Sequence, residues 1–271
     1  MRCDAERPRR AWPATVWPTG QLADASQDGT GDDPRDGATA GRAVSPTIAA
    51  HAIALFSWPG DMVCDPHCAD GTVVVEAVQA RRHAVGVAPD PHTWQTARAA
   101  LTVAKARGAP GDGTILDRLP QLGSWTGLGP VDLLLTAIGP PADPASIDGP
   151  NGNRLAARLA GYRALARPSG RLVVVAAHHI EGGLDLASRI IAAGRDAGWQ
   201  PVQRAVALTA VPSTCALDAA PATGRRAWPA HRDVLLFHGG QPARSPRPPD
   251  RPPPSPAPAA APPPAAANRA A

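Results

Sequence analysis

The chain has 271 residues, of which 44% are apolar, with 33 prolines, 26 glycines and a formal net charge of +4. A chain of this length can bury one sizeable core, but its proline and glycine content predicts that part of it stays unfolded. No apolar run approaches the roughly 20 residues of a membrane span, no apolar leader follows Met1 and the four cysteines show no paired spacing, which predicts a cytoplasmic protein without disulfides or membrane contact.

Both ends of the chain are predicted to be disordered. In residues 241–271, twelve of 31 residues are proline, which favours extended polyproline II. In residues 1–45, Gly, Asp, Pro and Arg interrupt every short apolar stretch, and Trp12 and Trp17 are the only large anchors. A single domain over residues 46–240 follows, and the tail is a candidate segment for binding a protein partner, or a spacer.

The basic excess does not by itself indicate nucleic-acid binding. The two ends carry part of it and leave about +2 for the domain. Of the 27 basic residues, all but Lys105 are arginine, as a coding bias would produce. No predicted helix face gathers them, whereas a duplex-binding protein is expected to carry a basic patch.

The predicted elements begin with a helix over residues 46–57, capped by Ser45 and opened by Pro46. Residues 61–64 predict a buried strand and residues 72–78 the helix that leaves it. Residues 82–87 predict a second strand, which completes the spacing of a βαβ unit. A strand that turns directly into a helix aims free N–H groups above the sheet edge, so the turn between them is the candidate ligand loop.

Helices and strands alternate along the rest of the domain. The predicted helices cover Asp90 or Thr93 to Lys105, 154–166 and 184–197, and the predicted strands cover 114–116, 131–136, 172–177, 202–208 and 234–237. This alternation predicts an α/β fold with a doubly wound, Rossmann-like sheet of about seven strands. The last two strands have no helix between them and predict a C-terminal β-hairpin at the sheet edge.

Several short motifs in this order carry a family resemblance. They are Pro59-Gly60-Asp61, Asp65-Pro66-His67-Cys68, Gly71-Thr72, Glu76-Ala77, Gly86-Val87, residues 132–136, Gly139-Pro140-Pro141 and residues 231–237. Together they resemble the DNA amino-methyltransferases, which methylate N4 of cytosine or N6 of adenine. The resemblance implies a methyltransferase sheet, S-adenosylmethionine (SAM) as cofactor and a nucleic acid as partner, with DNA favoured over RNA.

The resemblance also implies roles for individual residues. The implied cofactor-binding residues are Asp65, Pro66, His67, Cys68, Asp70, Gly71, Thr72, Asp90 and Asp117. Asp65 would meet the cofactor amine, and backbone N–H groups of residues 69–72 would meet its carboxylate. Asp90 would replace the family's ribose-binding acid, whose position holds Ala88, and Asp117 would reach the adenine.

The implied catalytic residues are Gly139, Pro140 and Pro141, and this motif departs from the family. Gly139 stands where the family has Asp, Asn or Ser, and Ala142 stands where it has an aromatic residue that stacks on the flipped base. Ala69 also replaces a family glycine. Two hypotheses follow: a methyltransferase with impaired activity, and a catalytically silent relative that retains cofactor or nucleic-acid binding.

Other site hypotheses are weaker. Cys64, His67 and Cys68 suggest zinc, but no second pair completes four ligands, so no metal site is predicted. A nicotinamide enzyme needs three spaced glycines, and the loop offers only Gly71. Asp132 is interpreted as a local hydrogen-bonding residue.

Overall fold

The computed structural model describes residues 14–19, 43–118, 130–139, 154–176, 186–209 and 231–240. The strands are β1 (Val16–Trp17), β2 (Met62–Asp65), β3 (His83–Val87), β4 (Gly113–Leu116), β5 (Val131–Ile138), β6 (Ala166–Ala176), β7 (Trp199–Leu208) and β8 (His231–Gly239). The helices are α1 (Pro46–Phe56), α2 (Thr72–Gln79), α3 (Pro91–Ala106), α4 (Arg154–Leu165) and α5 (Leu186–Asp196). No helix in these ranges is long and apolar enough to cross a membrane.

The strands form one sheet in the order β1-β7-β8-β6-β5-β2-β3-β4. Neighbouring strands pair in parallel except at β8, which runs antiparallel to both β6 and β7. The buried side chains of α1, α2 and α3 form one core layer, and those of α4 and α5 form another. This confirms the doubly wound α/β sheet, with one strand more than predicted.

The antiparallel pairing of the last two strands is also confirmed, but its place at the sheet edge is not. β8 lies between β7 and β6, where it pairs with β6 from Arg171 to Ala176. β1 then covers the outer side of β7. Val234 and Leu236 pack into the core layer of α1–α3, and Leu235 and Phe237 pack into that of α4–α5. Burial on both faces of the sheet accounts for the apolar run of β8.

β1 lies within the segment predicted to be disordered, and here the structure differs from the prediction. Trp17 pairs with Ala207 of β7 and is 1% exposed. Its ring lies 4.8 Å from the ring of His51 and 6.0 Å from that of Phe56. A strand of two residues has no periodicity to detect, and its order comes from the burial of one large side chain.

The chain divides into Met1–Gln241 and Pro242–Ala271. The second unit lies outside the described residues, so the predicted disorder of residues 241–271 stays a prediction. The described residues of the first unit cover nearly all of the predicted strands and helices.

Two arginines hold the C-terminal end of α1. Arg82 is buried and donates from Nε to Ser57 Oγ at 3.0 Å and from Nη2 to Ser57 O at 2.9 Å. Arg171 Nη1 donates to Phe56 O at 3.1 Å. Because the last carbonyls of a helix lack partners within it, these bonds stabilise the helix end.

Asp132 has the local role predicted for it. Its Oδ2 accepts a hydrogen bond from Met62 N at 3.0 Å, and its Oδ1 lies 3.0 Å from Arg167 Nη1. Asp132 therefore joins β5 to the start of β2, at the sheet edge opposite the candidate ligand loop.

Candidate functional site

The candidate site lies where β2 separates β3 from β5. The helix after β2 packs on one face of the sheet, and the helix after β5 packs on the other. In open α/β sheets, ligands bind outside the carboxyl ends of the strands at such a point. Asp65 ends β2 and Gly139 follows β5, so the first residues of the two predicted motifs lie at this edge.

The loop after β2 is folded back against β3. Cys68 N donates to Val87 O at 2.9 Å, and the Cys68 side chain points inward with 3% exposure. A Cβ on Gly86 would lie 2.9 Å from Cys68 Sγ, so this thiol occupies the space that the glycine leaves. Cys68 therefore fixes the conformation of the loop by packing against β3.

Gly71 joins the loop to α2. It is the N-cap of α2, with a φ of +90°, and a Cβ there would lie 2.9 Å from Ala97 Cα in α3. Gly71 thus permits both the left-handed turn and the close approach of α3. Like Cys68, it acts on the shape of the loop.

We expect Gly71→Ala to destabilise the protein by about 2–3 kcal/mol, from left-handed strain of about 1 kcal/mol and the clash with α3. Gly108→Ala is the matched control, because Gly108 has a φ of +87° with no atom within 4 Å of the added Cβ. Urea unfolding of both variants measures the difference. Equal losses of stability would show that the contact with α3 contributes nothing.

Asp65 is the most unusual titratable group at this edge. Its side chain is buried, and its Oδ1 accepts a hydrogen bond from His67 N at 3.0 Å. The pKa of the Asp65 carboxyl is raised to about 7, mainly by burial. The hydrogen bond from His67 N–H lowers the pKa, and the nearby Asp70 carboxylate makes a smaller contribution that raises it. A buried carboxyl with a raised pKa at a sheet edge is a candidate binding group, because a cationic ligand would stabilise its ionised form.

Three further acids lie at the same edge, after successive strands. Asp70 Oδ1 accepts from Thr72 N at 3.0 Å, so one of the N–H groups predicted to meet a ligand carboxylate already has a partner. Asp90 caps α3 by accepting from Thr93 N at 2.9 Å. Asp117 lies 3.2 Å from Arg118, whose hydrogen bond lowers the pKa of Asp117.

The structure separates the predicted cofactor residues by exposure. His67, Asp70, Asp90 and Asp117 are exposed, Thr72 is half-buried, and Asp65, Pro66, Cys68 and Gly71 are buried. Ala88 is also buried, and its N–H donates to Leu116 O at 2.9 Å. Of the predicted catalytic residues, Gly139 is half-buried, and Pro140 and Pro141 lie outside the described residues.

Trp94 is a further candidate binding residue of this site, and the sequence did not predict it. It lies in the first turn of α3, and its Nε1 donates to Ile115 O of β4 at 3.3 Å. The Arg98 guanidinium lies 4.9 Å from its ring centroid. An aromatic residue in the turn that Asp90 caps was the available signal, since it places a flat surface near the ends of β3 and β4.

The suggested zinc ligands do not come together. Cys64 packs with the α4–α5 layer and Cys68 with the α1–α3 layer, and burial raises the pKa of both thiols. In the parts of the chain that the structure describes, no three His, Cys, Asp or Glu side chains form a metal site.

No protein-family model matches the chain, and no curated protein matches it. Among solved structures, the chain is similar to magnesium protoporphyrin IX methyltransferase from Synechocystis PCC 6803 with bound SAM, at 20% identity and a TM-score of 0.49 over 78% of this chain and 86% of that one. It is also similar to TrmN from Thermus thermophilus, at 18% identity and a TM-score of 0.46 over 72% of this chain and 49% of that one.

A TehB-like SAM-dependent methyltransferase from Corynebacterium glutamicum is similar at 15% identity and a TM-score of 0.43, over 75% of this chain and 92% of that one. At these values the comparisons assign neither a ligand nor a reaction to the chain.

Proposed function

We propose that the chain binds SAM at the carboxyl ends of β2, β3 and β4 and belongs functionally with the SAM-dependent methyltransferases. The observation that carries this proposal is the buried Asp65 carboxyl at the end of β2, with its pKa raised to about 7. An ammonium group placed against Asp65 would stabilise the carboxylate and compensate for its burial. The bound cofactor would supply an electrophilic methyl group on a positively charged sulfur.

The charge of the edge favours this cofactor over a nicotinamide dinucleotide. Asp65 ends β2, and Asp70, Asp90 and Asp117 follow β2, β3 and β4 at this edge. A sulfonium and an amine are attracted by such acids, whereas the two phosphates of a dinucleotide are repelled. Gly71 is also the only glycine of the loop, too few for close approach of a pyrophosphate.

The finer proposal is methyl transfer to an exocyclic amine of a nucleic-acid base, as the sequence resemblance implies. Gly139 follows β5, the strand beside β2, so its carbonyl can accept a hydrogen bond from an amine near the methyl group. Gly139 has no side chain to add a second acceptor, and Ala142 cannot stack on a base. Each missing contact of this kind costs roughly 1–3 kcal/mol, so we expect slow transfer.

A second candidate is a silent relative that binds SAM without transferring its methyl group. The buried Ala88 favours it, because no carboxylate stands where the family's ribose acid would be. The two candidates share cofactor binding and differ only in turnover.

Two experiments with the full chain test these proposals in sequence. Isothermal titration should give heat with SAM and none with NAD, and no heat with SAM at millimolar concentration would overturn cofactor binding. Transfer of tritiated methyl to DNA and RNA of mixed sequence then separates the candidates. Incorporation above that of Asp65→Asn supports the enzyme, and its absence supports the silent relative.

A further inference from the structure

The helices on the α4–α5 face carry an uneven charge that cofactor binding does not explain. α4 contains three arginines and no acid, and α5 contains two arginines and one acid, Asp196. The two helices pack against each other, so these arginines share one layer. The prediction that no single helix face gathers the arginines considers each helix alone, whereas adjacency in the fold brings the arginines of two helices into one layer.

Part of this layer serves the fold. Arg163 donates from Nη2 to Gly240 O at 2.8 Å, and its guanidinium lies 5.5 Å from the ring centroid of Trp199. Arg154 and Arg158, by contrast, are exposed. They are four residues apart, and hence neighbours on one side of α4.

Most of the other exposed residues that the structure describes on α4 and α5 are small. The exposed residues of α4 besides Arg154 and Arg158 are Ala157, Ala160, Gly161 and Ala164. On α5, the exposed residues are Ser188, Ala192, Arg195 and Asp196. Exposed arginines therefore project from a surface of mostly small residues.

Helix stability does not account for this pattern. The first turn of α4 contains no acid, although an acid there would be stabilising, and it begins instead with Arg154. α4 also offers no acid for an intrahelical pair with Arg158. Within α4 the arginines thus lie where they repel one another, and an anion bound from outside would relieve that repulsion.

The chemistry of the surface indicates which anion. Guanidinium groups form bidentate hydrogen bonds with phosphate oxygens, and small neighbouring side chains let the backbone of a polyanion approach closely. An acidic protein would fit less well, because protein interfaces also depend on aromatic anchors, and the described exposed residues of α4 and α5 include none. The acids of the candidate cofactor site lie at the ends of β2, β3 and β4, whereas α4 connects β5 to β6. A polyanion is therefore attracted to the half of the sheet that includes Gly139.

We propose that the exposed face of α4 and α5 binds the phosphodiester backbone of a nucleic acid, with Arg154 and Arg158 as its central contacts. This inference rests on the proposed function in taking a nucleic acid as the acceptor. It adds a binding surface on a helical layer, separate from the loop that would hold the cofactor.

The test is fluorescence anisotropy of a labelled DNA duplex of mixed sequence with the full chain, without cofactor, across a series of salt concentrations. We expect Arg154→Gln/Arg158→Gln to weaken binding about tenfold and to reduce the slope of log K against log salt by about two. Arg107→Gln is the control, because Arg107 is exposed at the end of α3 on the other face. It should change binding by less than about twofold, since it removes one remote charge.

Equal effects of the double variant and the control would overturn the surface, as would failure of the full chain to bind the duplex at low salt. Displacement of the duplex by polyglutamate as readily as by unlabelled DNA of equal charge would overturn the choice of a phosphodiester. Duplex binding without heat from SAM would contradict cofactor binding alone, and heat from SAM without duplex binding would contradict this surface alone. Failure of cofactor binding and failure of this surface can therefore be told apart.

Discussion

Asp65→Asn is expected to weaken SAM binding about 30- to 100-fold, because it removes the charge that would meet the cofactor amine, and a hydrogen bond to a charged group contributes about 1.5–3 kcal/mol. The substitution is nearly isosteric. Asn keeps a side-chain oxygen that can accept from His67 N, as Asp65 Oδ1 does at 3.0 Å. A loss of binding would thus reflect the charge and not a rearranged loop.

The same substitution should stabilise the free protein, and the size of the gain should increase with pH. The pKa of Asp65 is raised from 3.8 to about 7, so the unfolded chain ionises first as the pH rises. The wild type therefore loses stability between those two values, whereas Asp65→Asn does not. The full pKa shift corresponds to a loss of roughly 4 kcal/mol in the free energy of unfolding of the wild type. We expect Asp65→Asn to recover about half of this loss at pH 8 and almost nothing at pH 4.

Thermal melts at the two pH values check this expectation, with a gain of about 5 °C at pH 8. The SAM affinity of the wild type should rise as the pH passes 7, because Asp65 ionises. In Asp65→Asn, the only remaining pH dependence of SAM affinity should come from the amine of the cofactor. A variant that binds SAM like the wild type would contradict the role of Asp65. A variant destabilised at both pH values would contradict its raised pKa.

Trp17→Ala should cost about 3–5 kcal/mol of unfolding free energy, because it empties a fully buried aromatic site. The loss would take a large part of the 5–15 kcal/mol typical of a domain. Trp17 packs against His51 and Phe56 of α1, so its removal also loosens α1 from the sheet. Urea unfolding should show a lower midpoint.

Val16→Ala is the matched control for this prediction, since Val16 belongs to the same strand and is 53% exposed. We expect it to cost less than about 0.5 kcal/mol. Deletion of residues 1–19 should be at least as damaging as Trp17→Ala, because it also leaves β7 as an open edge. If Trp17→Ala proved as mild as Val16→Ala, β1 would not be part of the folded domain.

The sequence predicts most of the sheet because its central strands are continuous apolar runs, as in Leu133-Leu134-Leu135 of β5. β1 could not be found in this way, since two residues have no period and Trp17 is ordered only by a pocket that α1 helps to form. The common layer of the α4 and α5 arginines is not visible in the sequence either, because it depends on contacts between segments that only the fold brings together.

The sequence predicts that several acids lie at one edge of the sheet, but not how the loop between β2 and α2 is packed. The carboxyl ends of parallel strands share one edge, so Asp65, Asp90 and Asp117 come to the same side of the sheet. The inward turn of Cys68 depends on the space that Gly86 leaves in β3, which the spacing of the loop does not show. The raised pKa of Asp65 likewise arises from burial, which only the fold produces.

The role of Asp65 in holding the cofactor is tested most directly by isothermal titration of two ligands into the wild type and into Asp65→Asn. S-adenosylhomocysteine carries the amine that Asp65 is proposed to meet, and methylthioadenosine lacks the amino-acid group. The wild type should prefer S-adenosylhomocysteine by about 30-fold or more, and Asp65→Asn should reduce that preference by a factor of about 30. An equal preference in both proteins, or no binding of either ligand to the wild type, would contradict the proposal that Asp65 holds the cofactor.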